Sequence, residues 1–443
     1  MVSTLMMTMP QNPAKVKLGN HTATRPLVSS FSGRRPVKVI TRPAVSKFDD
    51  VAQAPPDLVL GITEAFKADT HPDKLNLGVG AYRDEDLKPY VLEVVRKAEE
   101  KILASNLDHE YLAIQGLPGF LKATIDLLLG NDFDKDRVAC LQALSGTGSL
   151  TIGAHLINQY LPGATVYISD PTWPNHKNIF TLAGVKWANY RYFNPETVGL
   201  NFDGMIEDIK TAPTGSVILL HGCAHNPTGI DPTKEQWATI ADVIEEKGHI
   251  AFFDVAYQGF ATGSLEEDSF APRYFASRGL EFLVAQSYSK NLGLYGERVG
   301  AISVVTGSKD AATRVMSQLK RLARAVWSNP PAYGARIVES VVNDESMFNE
   351  WKGEMEMMSG RIKAVRQVLY DHLVRLNPDK DWKFILEQIG MFSFTGMSPA
   401  QVENMTNKWH IYMTKDGRIS LAGLNKAKSE YLAKAIDDSV RNC

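Results

Sequence analysis

At 443 residues, 44% hydrophobic and 22% charged, the chain can bury a sizeable core and has the length for two lobes. No apolar run approaches the ~20 residues needed to span a bilayer, so membrane insertion is excluded on this reading. Three cysteines, Cys140, Cys223 and Cys443, give neither a disulfide framework nor a metal-ligand spacing and fit a reducing compartment.

The first 48 residues hold eight Lys or Arg and ten Ser or Thr but no acid, the first being Asp49. That is the composition of an organelle import leader; a basic tail gripping an acidic partner is usually denser in charge. Without the leader, the formal charge of −2 becomes −10, with 40 basic residues against 50 acidic, which argues against nucleic acid as a partner. Residues 139–144, 165–168, 216–221, 250–254, 282–286 and 301–305 then read as buried strands. Residues 233–246 read as a helix, with Asp231 as cap and Pro232 in its first turn. Residues 309–324 form another, which Asn329-Pro330-Pro331 should end. The alternation predicts an α/β fold: a large domain with a mostly parallel sheet flanked by helices, followed by a smaller α+β domain. The expected division is a leader over 1–48, expected to be disordered, an N-terminal arm and start of the small domain over 49–89, a large cofactor-binding domain over 90–356, and a C-terminal small domain over 357–443.

In open α/β sheets ligands bind beyond the carboxyl ends of strands, and the unusual residues fall there. Ser145-Gly146-Thr147-Gly148-Ser149 follows the first strand and opens a helix, so its amides could cradle a phosphate, although a plain tight turn accounts for it as well. Asn226-Pro227-Thr228-Gly229 reads as a turn on its chemistry alone. Asp254 ends an apolar run three residues before Tyr257, and is either a cap or a buried carboxylate that needs a donor. Lys290 stands between hydroxyls just past a strand, with Arg298 eight residues on. His221 and His225 flank Cys223, but no second ligand pair accompanies them, so no metal is expected. Singly these signals are weak. In order they describe the needs of pyridoxal phosphate: an amine for its aldehyde, a carboxylate for its ring nitrogen, and donors for its phosphate.

The chain also resembles the class I pyridoxal-phosphate aminotransferases of the aspartate-aminotransferase type, from about Phe48 to its end. The stretches that carry the resemblance begin with Leu77-Gly78-Val79-Gly80-Ala81-Tyr82-Arg83, His221 through Gly229, and Asp254-Val255-Ala256-Tyr257-Gln258-Gly259-Phe260. Ser287-Tyr288-Ser289-Lys290, Trp327-Ser328-Asn329-Pro330-Pro331 and Met391-Phe392-Ser393-Phe394-Thr395-Gly396 complete the set. The resemblance implies fold type I of pyridoxal-phosphate enzymes and reversible amino transfer between L-aspartate and 2-oxoglutarate; an aromatic or mixed-specificity sibling is the alternative. It implies that Lys290 bonds the cofactor and shuttles the proton, Asp254 pairs with the ring nitrogen, and Tyr257 and Asn226 bond the ring oxygen. Gly146, Thr147, Ser287 and Arg298 would hold the phosphate with Tyr111 of a second subunit. Trp173 would stack on the ring and, with Asn226, seat the substrate. Arg418 and the Gly80 backbone would take the α-carboxylate, and Arg324 of a second subunit the distal one. His221 and His176 would support Asp254. A homodimer with shared sites and small dicarboxylic substrates follow from the same resemblance. The leader and core wording look most like plant plastid enzymes, with a mitochondrial location as the alternative.

Overall fold

The computed structural model describes residues 46–54 and 60–443. The chain divides into two compact units, Met1–Pro55 and Pro56–Cys443. In the first, residues 47–50 form a turn closed by the Val51 amide on the Phe48 carbonyl. Most of the import leader expected over 1–48 lies outside the described residues.

The second unit opens with helix α1 (Leu60–Ala68) and the short strand β1 (Leu75–Asn76). The main sheet has seven strands: β2 (Val138–Leu144), β3 (Thr165–Asp170), β4 (Lys186–Arg191), β5 (Val217–His221), β6 (Ile250–Val255), β7 (Phe282–Ser287) and β8 (Val299–Val305). Their spatial order is β2-β8-β7-β6-β5-β3-β4, and β8 alone runs antiparallel to its neighbours. Both faces are buried, which is why five of these strands are almost unbroken apolar runs. Along β5, Val217 and Leu219 enter one core while Ile218 and Leu220 enter the other, the two-residue period of a pleated strand. The six strands predicted from apolar runs are all present. The edge strand β4 was not foreseen, because one side is exposed and its sequence, Lys-Trp-Ala-Asn-Tyr-Arg, has no apolar run.

Helix α2 (Ser145–Tyr160) follows β2 directly, and α3 (Lys234–Lys247) lies between β5 and β6. The cap of α3 corrects the expectation. Thr233, not Asp231, takes the Gln236 amide, while the Gln236 side chain returns to the Thr233 amide, a reciprocal capping box. Asp231 instead accepts the Ala224 and His225 amides at 2.6 and 2.8 Å, bracing the turn before Asn226. Helix α4 (Lys309–Val326) ends three residues short of Asn329, as the prolines predict. The 32-residue helix α5 (Glu345–Leu376) carries the chain onward, and the expected domain junction at 356/357 falls inside it. Two small ladders then form: β9 (Phe392–Phe394) pairs antiparallel with β11 (Arg418–Ser420), and β10 (Ile411–Tyr412) pairs parallel with β1. The last helix, α6 (Lys426–Asn442), packs on α5. No helix among the described residues is long and apolar enough to cross a membrane.

Candidate active site

The carboxyl ends of β2, β5, β6 and β7 meet at one edge of the sheet, with the start of β8 beside them. At the end of β2, Ser145 holds φ 59, a left-handed conformation rare for a residue with a side chain. Its neighbour Gly300 allows this. A Cβ there would stand 2.3 Å from the Gln286 carbonyl oxygen and 2.8 Å from Ser145 Cα, so only glycine lets the turn close against β8. The Ser145 hydroxyl lies 2.9 Å from both the Ser287 and Ser289 hydroxyls. Arg298, also left-handed at φ 51, donates to Ser289 Oγ at 3.5 Å and to the Tyr295 carbonyl at 3.1 Å. Burial lowers its guanidinium pKa. Gly146 and Thr147 lie in the first turn of α2, where amides have no intrahelical partner and the helix dipole favours an anion. Hydroxyls, amides and a guanidinium thus converge as a doubly charged phosphate requires.

Lys290 follows β7 in a cleft, its Nζ 5.8 Å from the Tyr257 ring centre and 5.9 Å from that of Tyr295. Burial pulls its amine down to about 8; Asp254 works against this, and the Arg298 and Arg418 charges add to it. Asp254, at the end of β6, is 8% exposed and takes a hydrogen bond from His176 Nε2 at 3.0 Å, while His176 Nδ1 meets Thr172 Oγ1 at 2.8 Å. Burial alone would raise the Asp254 carboxyl. The His176 hydrogen bond outweighs it, with the nearby Lys290 amine adding to the effect, and the carboxyl stays ionised, below the usual range. His221 lies beside this pair, but neither of its ring nitrogens has a hydrogen-bond partner among the described residues, so the hydrogen bond to Asp254 comes from His176. His176, His221 and Asp254 lie within 4.8 Å of one another, close enough to share a cation, a geometry that the residue spacing did not suggest. Tyr257 is buried, which raises its phenol. Trp173 stands edge-on to His176 at 5.2 Å.

Arg418 reaches this cleft from β11. It is 5% exposed, donates to the Gly78 carbonyl at 2.7 Å and to Asn226 Oδ1 at 3.2 Å, and keeps its buried Nε without a partner. A buried guanidinium proton left unpaired is costly, so this donor suits a carboxylate. Gly80 follows on the same segment as Gly78, its Cα so close to the Phe392 ring that a Cβ would stand 2.8 Å from it.

Two predicted residues are exposed, with no hydrogen bond to the residues above. Tyr111 is 86% exposed. Arg324, exposed near the end of α4, donates to Ser328 Oγ and, at 3.4 Å, to Asn329 Oδ1. Asn329 in turn donates to the Leu112 carbonyl at 2.7 Å, so both residues occupy one outer region. Sequence reasoning placed Ser145 in the phosphate loop without giving its side chain a role, and did not single out Ser289 or Tyr295 as members of the site. Tyr295 accepts the Tyr82 amide at 3.0 Å, linking the Gly78–Gly80 segment to the lysine loop. The only cue to these residues was adjacency to Gly146, Lys290 and Arg298.

The residues present fit pyridoxal phosphate: an anion cradle, an amine with a lowered pKa, an ionised carboxylate and an unpaired guanidinium donor converge within one cleft. Residues 72–436 match the family model "Aminotransferase class I and II". The chain is 63% identical to a chloroplastic aspartate aminotransferase of Arabidopsis thaliana, over 97% of this chain and 96% of that one. It is also 63% identical to aspartate aminotransferase P2, mitochondrial, of Lupinus angustifolius, covering 91% and 90%. Among solved structures, an aromatic-amino-acid aminotransferase of Burkholderia pseudomallei, covalently bound to pyridoxal phosphate, superposes with a TM-score of 0.87 at 42% identity, covering 89% and 99%. With its sheet, its cleft and nearly its full length matched, this chain belongs to the class I and II aminotransferases.

Proposed function

We propose that this protein is a pyridoxal-phosphate-dependent aspartate aminotransferase, moving the amino group of L-aspartate to 2-oxoglutarate and yielding oxaloacetate and L-glutamate. The observation that carries the reading is the grouping of Lys290 with an ionised Asp254 and with Arg418, whose buried Nε has no partner among the described residues. When bound, the cofactor supplies an aldehyde to hold the substrate amine and a ring to take up the electron pair left at Cα. Asp254 keeps the ring nitrogen protonated, and Tyr257 and Asn226 bond the ring oxygen. Gly146, Thr147, Ser287 and Arg298 hold the phosphate, with Ser145 and Ser289 orienting the hydroxyl of Ser287. Trp173 covers the ring and, with Asn226, seats the substrate. Lys290, once free, moves the proton from the substrate Cα. An amine brought down to about 8 is far readier for that at neutral pH than an ordinary lysine.

Arg418 and the Gly80 backbone grip the α-carboxylate. Arg324 takes the distal one, because a guanidinium can hold a carboxylate with two parallel bonds. Arg324 and Tyr111 act on the neighbouring subunit of a homodimer; the support is that both are exposed. Residues 90–356 form the cofactor lobe and residues 357–443 belong to the smaller lobe carrying Arg418. Aspartate is favoured over aromatic substrates by the names of the two relatives at 63% identity. Import into the plastid is favoured by the chloroplastic relative, aligned over 97% of the chain, and by the acid-free first 48 residues. Fluorescent protein fused behind those residues tests this: chloroplast labelling supports it, mitochondrial labelling contradicts it. For the activity, oxaloacetate formation from aspartate and 2-oxoglutarate is compared with turnover of phenylalanine. A preference for phenylalanine would overturn the substrate assignment.

A further inference from the structure

Arg366, in the middle of α5, is 3% exposed, and no carboxylate among the described residues pairs with it. Its guanidinium is satisfied by three backbone carbonyls, donating to Ile385 at 2.9 Å, Gly390 at 3.0 Å and Phe392 at 2.5 Å. A buried cation held only by carbonyls is an expensive way to fix a loop, and the 385–392 segment shows what it fixes. Ile389 donates to the Gly229 carbonyl at 2.7 Å, three residues beyond Asn226. Phe392 lies with its ring 4.3 Å from the Arg418 guanidinium and edge-on to Tyr257 at 6.1 Å. One arginine therefore governs both flanks of the carboxylate-binding donor: the Asn226 turn through Ile389, and the face of Arg418 through Phe392.

We propose that Arg366 is a positioning residue for carboxylate recognition, setting the height of Arg418 through Phe392. The proposal rests on the aminotransferase reading above. Lysine offers one compact ammonium where the guanidinium spans three acceptors, so Arg366→Lys keeps the charge but not the geometry.

The test uses the cofactor-loaded enzyme with two probes. Succinate, measured by calorimetry, reports carboxylate binding; methoxyamine, which carries no carboxylate, reports how readily the lysine-bound cofactor is attacked. In Arg366→Met the succinate Kd and the aspartate KM rise about tenfold or more, as expected when a charge-assisted contact is misaligned. The methoxyamine rate and the turnover at saturating aspartate stay within about threefold of wild type on the same reasoning. Arg366→Lys falls between the two. Should Arg366→Met fail to fold, Phe392→Leu, which leaves all three arginine bonds in place, gives the same direction with a smaller shift. Unchanged succinate affinity in these variants overturns the proposal, as does an equal loss with methoxyamine, the mark of general collapse. A wild-type enzyme that reacts with methoxyamine but binds no succinate overturns the parent substrate reading instead.

Discussion

At Lys290 the needs of folding and of chemistry oppose each other. The folded chain holds the amine at about 8 against an ordinary 10.5, so below pH 8 the full cost of burying its charge is present. Between those values the unfolded chain binds more protons than the folded one. Stability of the cofactor-free protein therefore rises with pH across that window, and the cost is gone above it. Lys290→Met should stabilise the cofactor-free protein at pH 7 by about 1–3 kcal/mol, allowing for partial solvent contact. Denaturant melts at pH 7 and above pH 10.5 check this: the gain appears only in the first. A gain of equal size at both would remove the burial argument. Lys290→Ala should retain the cofactor through Asp254, Arg298 and the serine cluster yet lose turnover. At Arg324 the prediction concerns selectivity: Arg324→Leu loses aspartate activity about a hundredfold or more, as expected for a lost bidentate ion pair, and phenylalanine activity far less. Equal losses on the two substrates would contradict the distal-carboxylate role.

The strands that carry the site were legible because both faces of the sheet are buried, which leaves apolar runs bounded by polar site residues. Strand β4 was not, since an edge strand with exposed Lys186, Asn189 and Arg191 looks like a loop. The Asp231 cap was misread because turn chemistry names a residue type but not its partner: the carboxylate turned back to the Ala224 and His225 amides, and Thr233 took the helix. Thr233→Ala should cost about 1 kcal/mol by thermal melting. Gly300→Ala belongs to the same scale with a larger effect. Its methyl would enter the Gln286 carbonyl and the Ser145 backbone, costing about 2–4 kcal/mol and loosening phosphate binding. Cofactor retention on dialysis reports the second effect, and a variant that keeps both stability and cofactor would contradict the packing account.

On the scale of the whole molecule, the site draws on residues remote in sequence. Ser145 meets Ser287 across 142 positions, and Arg418 meets Gly78 across 340. Neither contact follows from periodicity or local spacing; the family resemblance pointed to Ser287 and Arg418, and the fold brings Ser145 and Gly78 to them. If Tyr111 and Arg324 serve a second subunit, as proposed, the site also draws on residues of two chains. If Arg324 acts across the dimer, mixing Lys290→Ala with Arg324→Leu chains restores one intact site per mixed dimer, about a quarter of wild-type activity after random exchange. No recovery, with dimer exchange verified, would place Arg324 in its own subunit's site.

The most direct test of the account is the absorption spectrum of the purified protein with pyridoxal phosphate, before and after aspartate is added without any oxo acid. The account predicts a yellow band from the lysine-bound cofactor that fades as the amino group is transferred and returns on addition of 2-oxoglutarate. A yellow band indifferent to aspartate, yet bleached by phenylalanine, would contradict it.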